Sequence, residues 1–411
     1  MAKAFLRAVL ILLLLGPCQS AWADAQPAFR EVSTLEDFVK KSDYGGEFRT
    51  FYMNRRFHNT AHTDQSLAAG GSLRLETPYW YHLSGGIEAY TSLPLIFYKE
   101  EQGGAGLLKT NQHGYFVIGK LYLQAEAFKT RARIFRQELE TPFMNSYDYR
   151  MTPVTYEAYT VQTWFVKNLE LMFSYVTRVK RWTDDKFNTL TSAAGLKGTH
   201  NGAAVWGATY TLDDVLKIQA WDYYCVNFMN IAFAQIDATW KIMKEFSATW
   251  SAQGIYQHNA GKNLDGKFDA GQLGTQTVFH VYDADITVGY TAANYSHDVI
   301  NPWGAYPGFT SIMEEDCDLS GERAWIVGLG YDFHRIVEGL SFTFFHTESV
   351  VPHGGTFSNA DQYESDFNLL YKFHGKLKGL SLKFRMSFVD HSFSTGGTKY
   401  RDFRGILKYE F

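Results

Sequence analysis

The chain has 411 residues and a formal net charge of −4 at pH 7, and 17% of it is Phe, Trp or Tyr. That charge excludes nucleic acid as a natural partner, which would call for a basic face. No stretch approaches about 18 uninterrupted apolar residues, so a helical membrane span is excluded as well.

The first residues carry Lys3 and Arg7, then an apolar run from Ala8 to Leu15, then Ala21-Trp22-Ala23. A basic start, a short apolar stretch and an A-x-A site predict a secretory signal peptide over residues 1–23. Its loss of two cations takes the net charge to −6. Residues 24–43 are polar and irregular, as in a periplasmic lead-in. Residues 44–411 read as one further domain.

From residue 44 onward, runs of about ten residues alternate in polarity, the pattern of a transmembrane strand. Short connections interrupt them near Tyr79 to His82, Ala125 to Ala127, Val166 to Asn168, Asp213-Asp214, Met243-Lys244, Asp283, Arg335 to Glu338 and Gly375 to Lys378. Longer ones, richer in Gly, Asn, Asp and Pro, fall between them at 56–66, 94–113, 138–156, 182–201, 227–232, 257–272, 295–321, 350–361 and 392–398. Eight turns and nine loops separate about eighteen strands. The predicted fold is all-β: a transmembrane antiparallel up-and-down β-barrel, with short turns on the periplasmic side and long loops outside. A barrel that wide cannot be filled by wall side chains alone. Any plug or constriction must come from a loop.

The faces support this. Leu380, Leu382, Phe384, Met386 and Phe388 share one face of their strand, while Lys383, Arg385 and His391 share the other. Leu169, Leu171, Phe173 and Tyr175 oppose Glu170, Ser174, Arg178 and Lys180, and Ala132 and Ile134 oppose Lys129, Arg131 and Arg133. In the last strand, Phe403, Leu407, Tyr409 and the closing Phe411 oppose Arg404, Lys408 and Glu410. A Lys or Arg facing lipid at mid-depth costs roughly 2–4 kcal/mol, so the charged faces belong in a wet lumen.

Cys225 and Cys317 are an even pair in an oxidising compartment. A disulfide between them and two inert thiols are both open readings. Glu314, Glu315, Asp316 and Asp318 crowd one outer loop. They read either as a solvated acidic loop or as an electronegative vestibule that attracts amines or a divalent cation. The chain contains no G-x-S-x-G, H-E-x-x-H or C-x-x-C motif, and Asp390-His391-Ser392 is contiguous on a strand whose neighbours point apart. No enzyme activity, cofactor or metal is expected.

The segment TRARIFRQELETPFMNSYDYRMTPVTYEAYTV, from Thr130 to Val161, resembles the third-loop region of the OprD family of outer-membrane porins. GEFRTFYMNRRF, from Gly46 to Phe57, resembles that family's first strand, and SGERAWIVGLGYDF its later strands. The resemblance implies an eighteen-stranded barrel in the outer membrane of a Gram-negative bacterium, monomeric or loosely homo-oligomeric. Its third outer loop would fold inward, placing Asp148 and Arg150 at the constriction. Lumenal basic residues would form a ladder for small carboxylate-bearing solutes: Lys129, Arg131, Arg133, Arg178, Lys180, Lys383 and Arg385. Arg49 and Arg55 fall in the first-strand motif. The expected function is passive diffusion of small hydrophilic solutes (carboxylates, amino acids, ions), with outer-membrane lipid and lipopolysaccharide as surroundings. A general, weakly selective porin and an adhesive or structural barrel are the alternatives.

Overall fold

Alternation along the chain becomes alternation across a wall. The computed structural model describes residues 31–58, 63–98, 104–196, 198–351, 360–391 and 399–411. The expected signal peptide and the first part of the lead-in lie outside the described residues. Eighteen long strands form the wall: β1 Asp43–Phe57, β2 Thr63–Glu76, β3 Leu83–Ile96, β4 Tyr115–Ala127, β5 Thr130–Gln137, β6 Thr155–Thr163, β7 Leu169–Lys180, β8 Ala203–Leu212 and β9 Leu216–Cys225. They continue as β10 Met229–Met243, β11 Phe246–Asn259, β12 Asp269–Val281, β13 Ala284–Ala293, β14 Arg323–Asp332, β15 Leu340–Val351, β16 Ala360–Lys372, β17 Leu380–His391 and β18 Lys399–Glu410. Each pairs antiparallel with its neighbours, and β18 pairs with β1 from Tyr400 opposite Phe57 to Glu410 opposite Glu47. The sheet is thus closed, as hydrocarbon requires of a strand wall. The eighteen-strand expectation holds.

Along β18, Leu407 and Tyr409 are exposed on the outer face, while Asp402 and Arg404 are 0% and 1% exposed on the inner one. Along β7, Phe173 and Tyr175 are exposed and Ser174 is buried. Apolar side chains therefore meet lipid and polar ones meet the lumen or the loops that fill it.

Connections at one rim are tight. Between β4 and β5 only Phe128 and Lys129 intervene, both at positive φ (51° and 55°). That is the geometry of a two-residue type I′ hairpin turn. Lys129, expected on the lumenal wall, sits in this turn with its side chain exposed. Among the wall's register shifts, two bear on the positions expected in the lumen. Gly119 is the extra residue opposite Glu88 and Ala89, and Tyr90 lies over it so closely that a Cβ there would meet the ring at 2.1 Å. Thr177 is the extra residue between β6 and β7.

Before the wall, the lead-in expected to be irregular carries a short helix, α1 Leu35–Lys40. The Thr34 hydroxyl accepts the Asp37 N–H at 3.1 Å, and Glu36 and Asp37 occupy the first turn, a complete N-terminal signal.

Candidate functional site

The third and seventh outer loops leave the rim and pack into the lumen, joined there by Leu107 and Leu108 of the second and Leu190 of the fourth. The third loop, residues 138–154, departs β5 after only eight wall residues and returns at Thr155. Its Phe143 is fully buried against Tyr223 of the wall and Tyr306 of the seventh loop, edge-on at 5.7 and 6.4 Å. The seventh loop, residues 294–322, meets it directly: the Ala305 N–H donates to Asn145 Oδ1 at 3.0 Å. From the wall, Tyr156 Oη donates to the Trp303 carbonyl at 2.7 Å, and Trp303 Nε1 donates to the Leu190 carbonyl of the fourth loop at 3.1 Å. These rings and bonds make the interlocked loops a packed core inside a water-filled wall.

The polar end of the third loop faces the seam where β17, β18 and β1 meet. Arg49 Nη1 and Nη2 donate to Asp148 Oδ1 and Oδ2 at 2.8 and 2.7 Å, and Nη1 also reaches the Arg150 carbonyl. Arg150 lies over the Trp182 ring at 5.2 Å. Asp148 and Arg150 therefore lie together inside the barrel, with Asp148 gripped by β1.

Three adjacent strands form a basic stripe there. Arg385 of β17 is opposite Arg404 of β18, and Lys408 of β18 is opposite Arg49 of β1. Arg385 Nε donates to Asn368 Oδ1 at 2.5 Å, and its guanidinium lies 5.6 Å from the Tyr149 ring centre. Lys383 makes no ion pair among the described residues. Lys383, Arg385 and Tyr149 line a lumenal cavity of about 590 Å³, whose other walls include Asn368, Phe309 and Ile312. Tyr149 also borders a second cavity of about 490 Å³, which lies between the third loop and Gln219 and Gln235. Tyr149 thus stands where the two spaces meet. Arg404 and Lys408 were visible as the polar face of the last strand, but only pairing with β17 and β1 reveals the stripe.

The other expected ladder positions are arranged differently. Arg131 Nε binds Glu126 Oε2 at 2.9 Å and lies over Trp164; Arg133 Nε binds Gln124 Oε1 at 2.7 Å and lies over Tyr122. Both are held on β5 near the tight turn, away from β17 and β18. Arg178 leaves the lumenal face. The bulge at Thr177 puts it opposite Glu157, two residues from the outward Tyr159, and it joins Arg136 beside that carboxylate. Lys180 is not exposed to a passing solute at all. Its side chain is fully buried, and Nζ donates to Thr152 Oγ1 at 2.6 Å and to the Pro153 carbonyl at 2.8 Å, fastening the return of the third loop.

The acids of the seventh loop are turned inward instead of forming an open vestibule. Glu314 accepts from Arg55 with one oxygen and from Arg404 with the other. Asp402 completes the ring, accepting from Arg404 Nε at 2.7 Å and Arg55 Nε at 3.1 Å. Glu364 of β16 holds the backbone, accepting the N–H of Glu314 at 3.0 Å and of Glu315 at 2.8 Å. Glu315 is met by His391 Nε2 at 2.8 Å and by the Tyr400 hydroxyl at 3.0 Å. Asp316 accepts from Ser311 Oγ at 2.7 Å, and burial raises its pKa. Asp318 is pushed up to about 8, by burial first and then by Asp316, Glu322 and Asp298. Cys225 and Cys317 are both free and buried, so the disulfide reading is wrong. Among the described residues no cluster fit to hold a metal ion is present.

A family model described as outer membrane porin, OprD family, matches residues 36–411. The chain is similar in fold to Acinetobacter baumannii OccAB3 (TM-score 0.83, 17% identity, 91% of this chain and 100% of that one). It is likewise similar to Pseudomonas aeruginosa OccK9, or OpdG (0.82, 17%, 91% and 99%), and to Pseudomonas aeruginosa OpdK in a structure with vanillate (0.80, 15%, 91% and 99%). No curated protein matches the sequence.

Proposed function

Since this chain belongs to the OprD family of outer-membrane porins, we propose that it admits small carboxylate-bearing solutes selectively, past the constriction made by the third and seventh loops. It is a passive channel of a Gram-negative outer membrane and not an enzyme. The observation that carries the selectivity is Lys383, with no ion pair among the described residues, beside Arg385, both facing a cavity that Tyr149 also lines. A guanidinium offers a carboxylate two parallel donors, while a lysine offers a mobile point charge. A cation without its own counter-ion attracts an anion, and a neighbouring site of similar strength lets that anion move on. The Tyr149 ring lies against the Arg385 guanidinium and offers a flat face beside the cation. The fold likeness to a channel seen with vanillate, an aromatic carboxylate, accords with this. Lipopolysaccharide at the outer rim and a monomeric or loosely associated state complete the proposed setting.

The test is electrical. In a planar bilayer with a salt gradient, the zero-current potential should favour anions, and acetate or benzoate should reduce the chloride current. A large conductance that no carboxylate blocks would mean a general, weakly selective pore.

A further inference from the structure

The ring formed by Arg55, Glu314, Arg404 and Asp402 is unequal in its two acids. Asp402 belongs to the wall, two residues from Arg404 on the same strand. Glu314 comes from the loop, and its backbone is fixed independently by Glu364. Its side chain can therefore leave without the loop leaving. Arg150 and Arg385 lie within Coulombic reach of Asp402. With Glu314 removed, Arg55 and Arg404 share the single carboxylate of Asp402, with Arg150 and Arg385 nearby on one side and Glu364 and Glu315 on the other. Arg404 is 1% exposed, so its charge is well sheltered from water, and an unpaired charge there is costly. A seat of this composition takes a carboxylate. The lumenal cavity comes close to it: the four ring residues lie behind its wall, which includes Ile312, two residues before Glu314, and Arg385, opposite Arg404.

We propose that Glu314 is a tethered carboxylate ligand, occupying a guanidinium site that also accepts the carboxylate of a solute, so that the two exchange. The inference rests on the proposed carboxylate passage and adds a built-in competitor to it. A carboxylate held on a short flexible tether acts at an effective concentration on the order of millimolar. It keeps the seat filled and the charges paired when no solute is present. It also weakens the seat, so that a solute is released instead of trapped, as conduction demands.

The experiment compares the purified full chain with Glu314→Gln and Glu314→Asp in planar bilayers, using acetate as the probe. The half-blocking acetate concentration should fall about tenfold or more in Glu314→Gln, because the tethered competitor is gone. Glu314→Asp, which keeps the charge on a shorter arm, should fall in between, and it decides the matter if the amide variant does not fold. The difference should persist in 1 M potassium chloride, where a Debye length of about 3 Å screens a mere change in lumenal potential. An unchanged half-blocking concentration, or a change that disappears at high salt, overturns the exchange. If the wild-type channel is blocked by acetate and the variants are blocked equally, only the tethered ligand is refuted. If acetate blocks none of the three, carboxylate passage is refuted with it.

Discussion

Arg49 holds Asp148 through two parallel bonds, Nη1 to Oδ1 at 2.8 Å and Nη2 to Oδ2 at 2.7 Å, and thereby joins the first wall strand to the loop inside it. Asp148 is 38% exposed, which lowers the value of the pair below that of a fully buried one. Arg49→Ala should cost about 1.5–3 kcal/mol at this contact, the range for a hydrogen bond to a charged group. On the wall the substitution also removes the Arg49 partner of Glu47, which keeps Lys408, so the barrel should still assemble. Single-channel recording should show a larger and noisier conductance, and an unchanged trace would mean that the loop is held elsewhere.

The two basic groups should differ in the size of their effect. Lys383→Ala with Arg385→Ala removes both cations from the cavity wall, and the zero-current potential should move toward cations. Arg131→Ala with Arg133→Ala removes cations already engaged by Glu126 and Gln124, and the shift should be smaller. Equal shifts would place both groups on the path.

Lys180 should behave as a fastening and not as a rung. Lys180→Met replaces a buried charge by an apolar chain of similar length and leaves the Pro153 carbonyl without its donor, a cost of about 1–3 kcal/mol at the return of the loop. It frees Thr152 and Pro153, so open-channel noise should rise while the ion preference stays put. A shift in the zero-current potential would show that Lys180 does face the solute.

Much of this is legible in the sequence, and the exceptions have physical causes. Strand count and faces follow from a period of two, which lipid on one side and water on the other impose on every strand. Lys129 obeyed that period on paper, but its backbone lies at positive φ in a hairpin turn. Arg178 obeyed it until the single extra residue at Thr177 changed the face. A bulge is one residue long and leaves almost no trace in a polarity pattern. The inward turn of Glu314 to Glu315 was hidden for another reason: its partners Glu364, His391 and Arg404 lie dozens of residues away, and loops have no period to read.

Stability should also depend on pH through Asp318. Its folded pKa is raised to about 8, while an unfolded Asp titrates near about 3.9. Below about pH 4 both states are protonated and no penalty arises. Between the two values the folded chain keeps a proton that the unfolded chain has lost, so stability falls as pH rises through that window. Thermal unfolding in detergent should therefore be hottest on the acid side of this window, with a decline toward pH 8. Asp318→Asn should flatten that decline; an identical slope in the variant would assign the effect to another group.

The pairing of β18 with β1 also bears on biogenesis. The edge of the strand synthesised first finds its hydrogen-bonding partner only in the strand synthesised last. Until then a ribbon of greasy alternate side chains must cross an aqueous compartment with both borders bare. A bare, half-greasy ribbon of this kind is an aggregation hazard, and the wall cannot seal before β18 is in place.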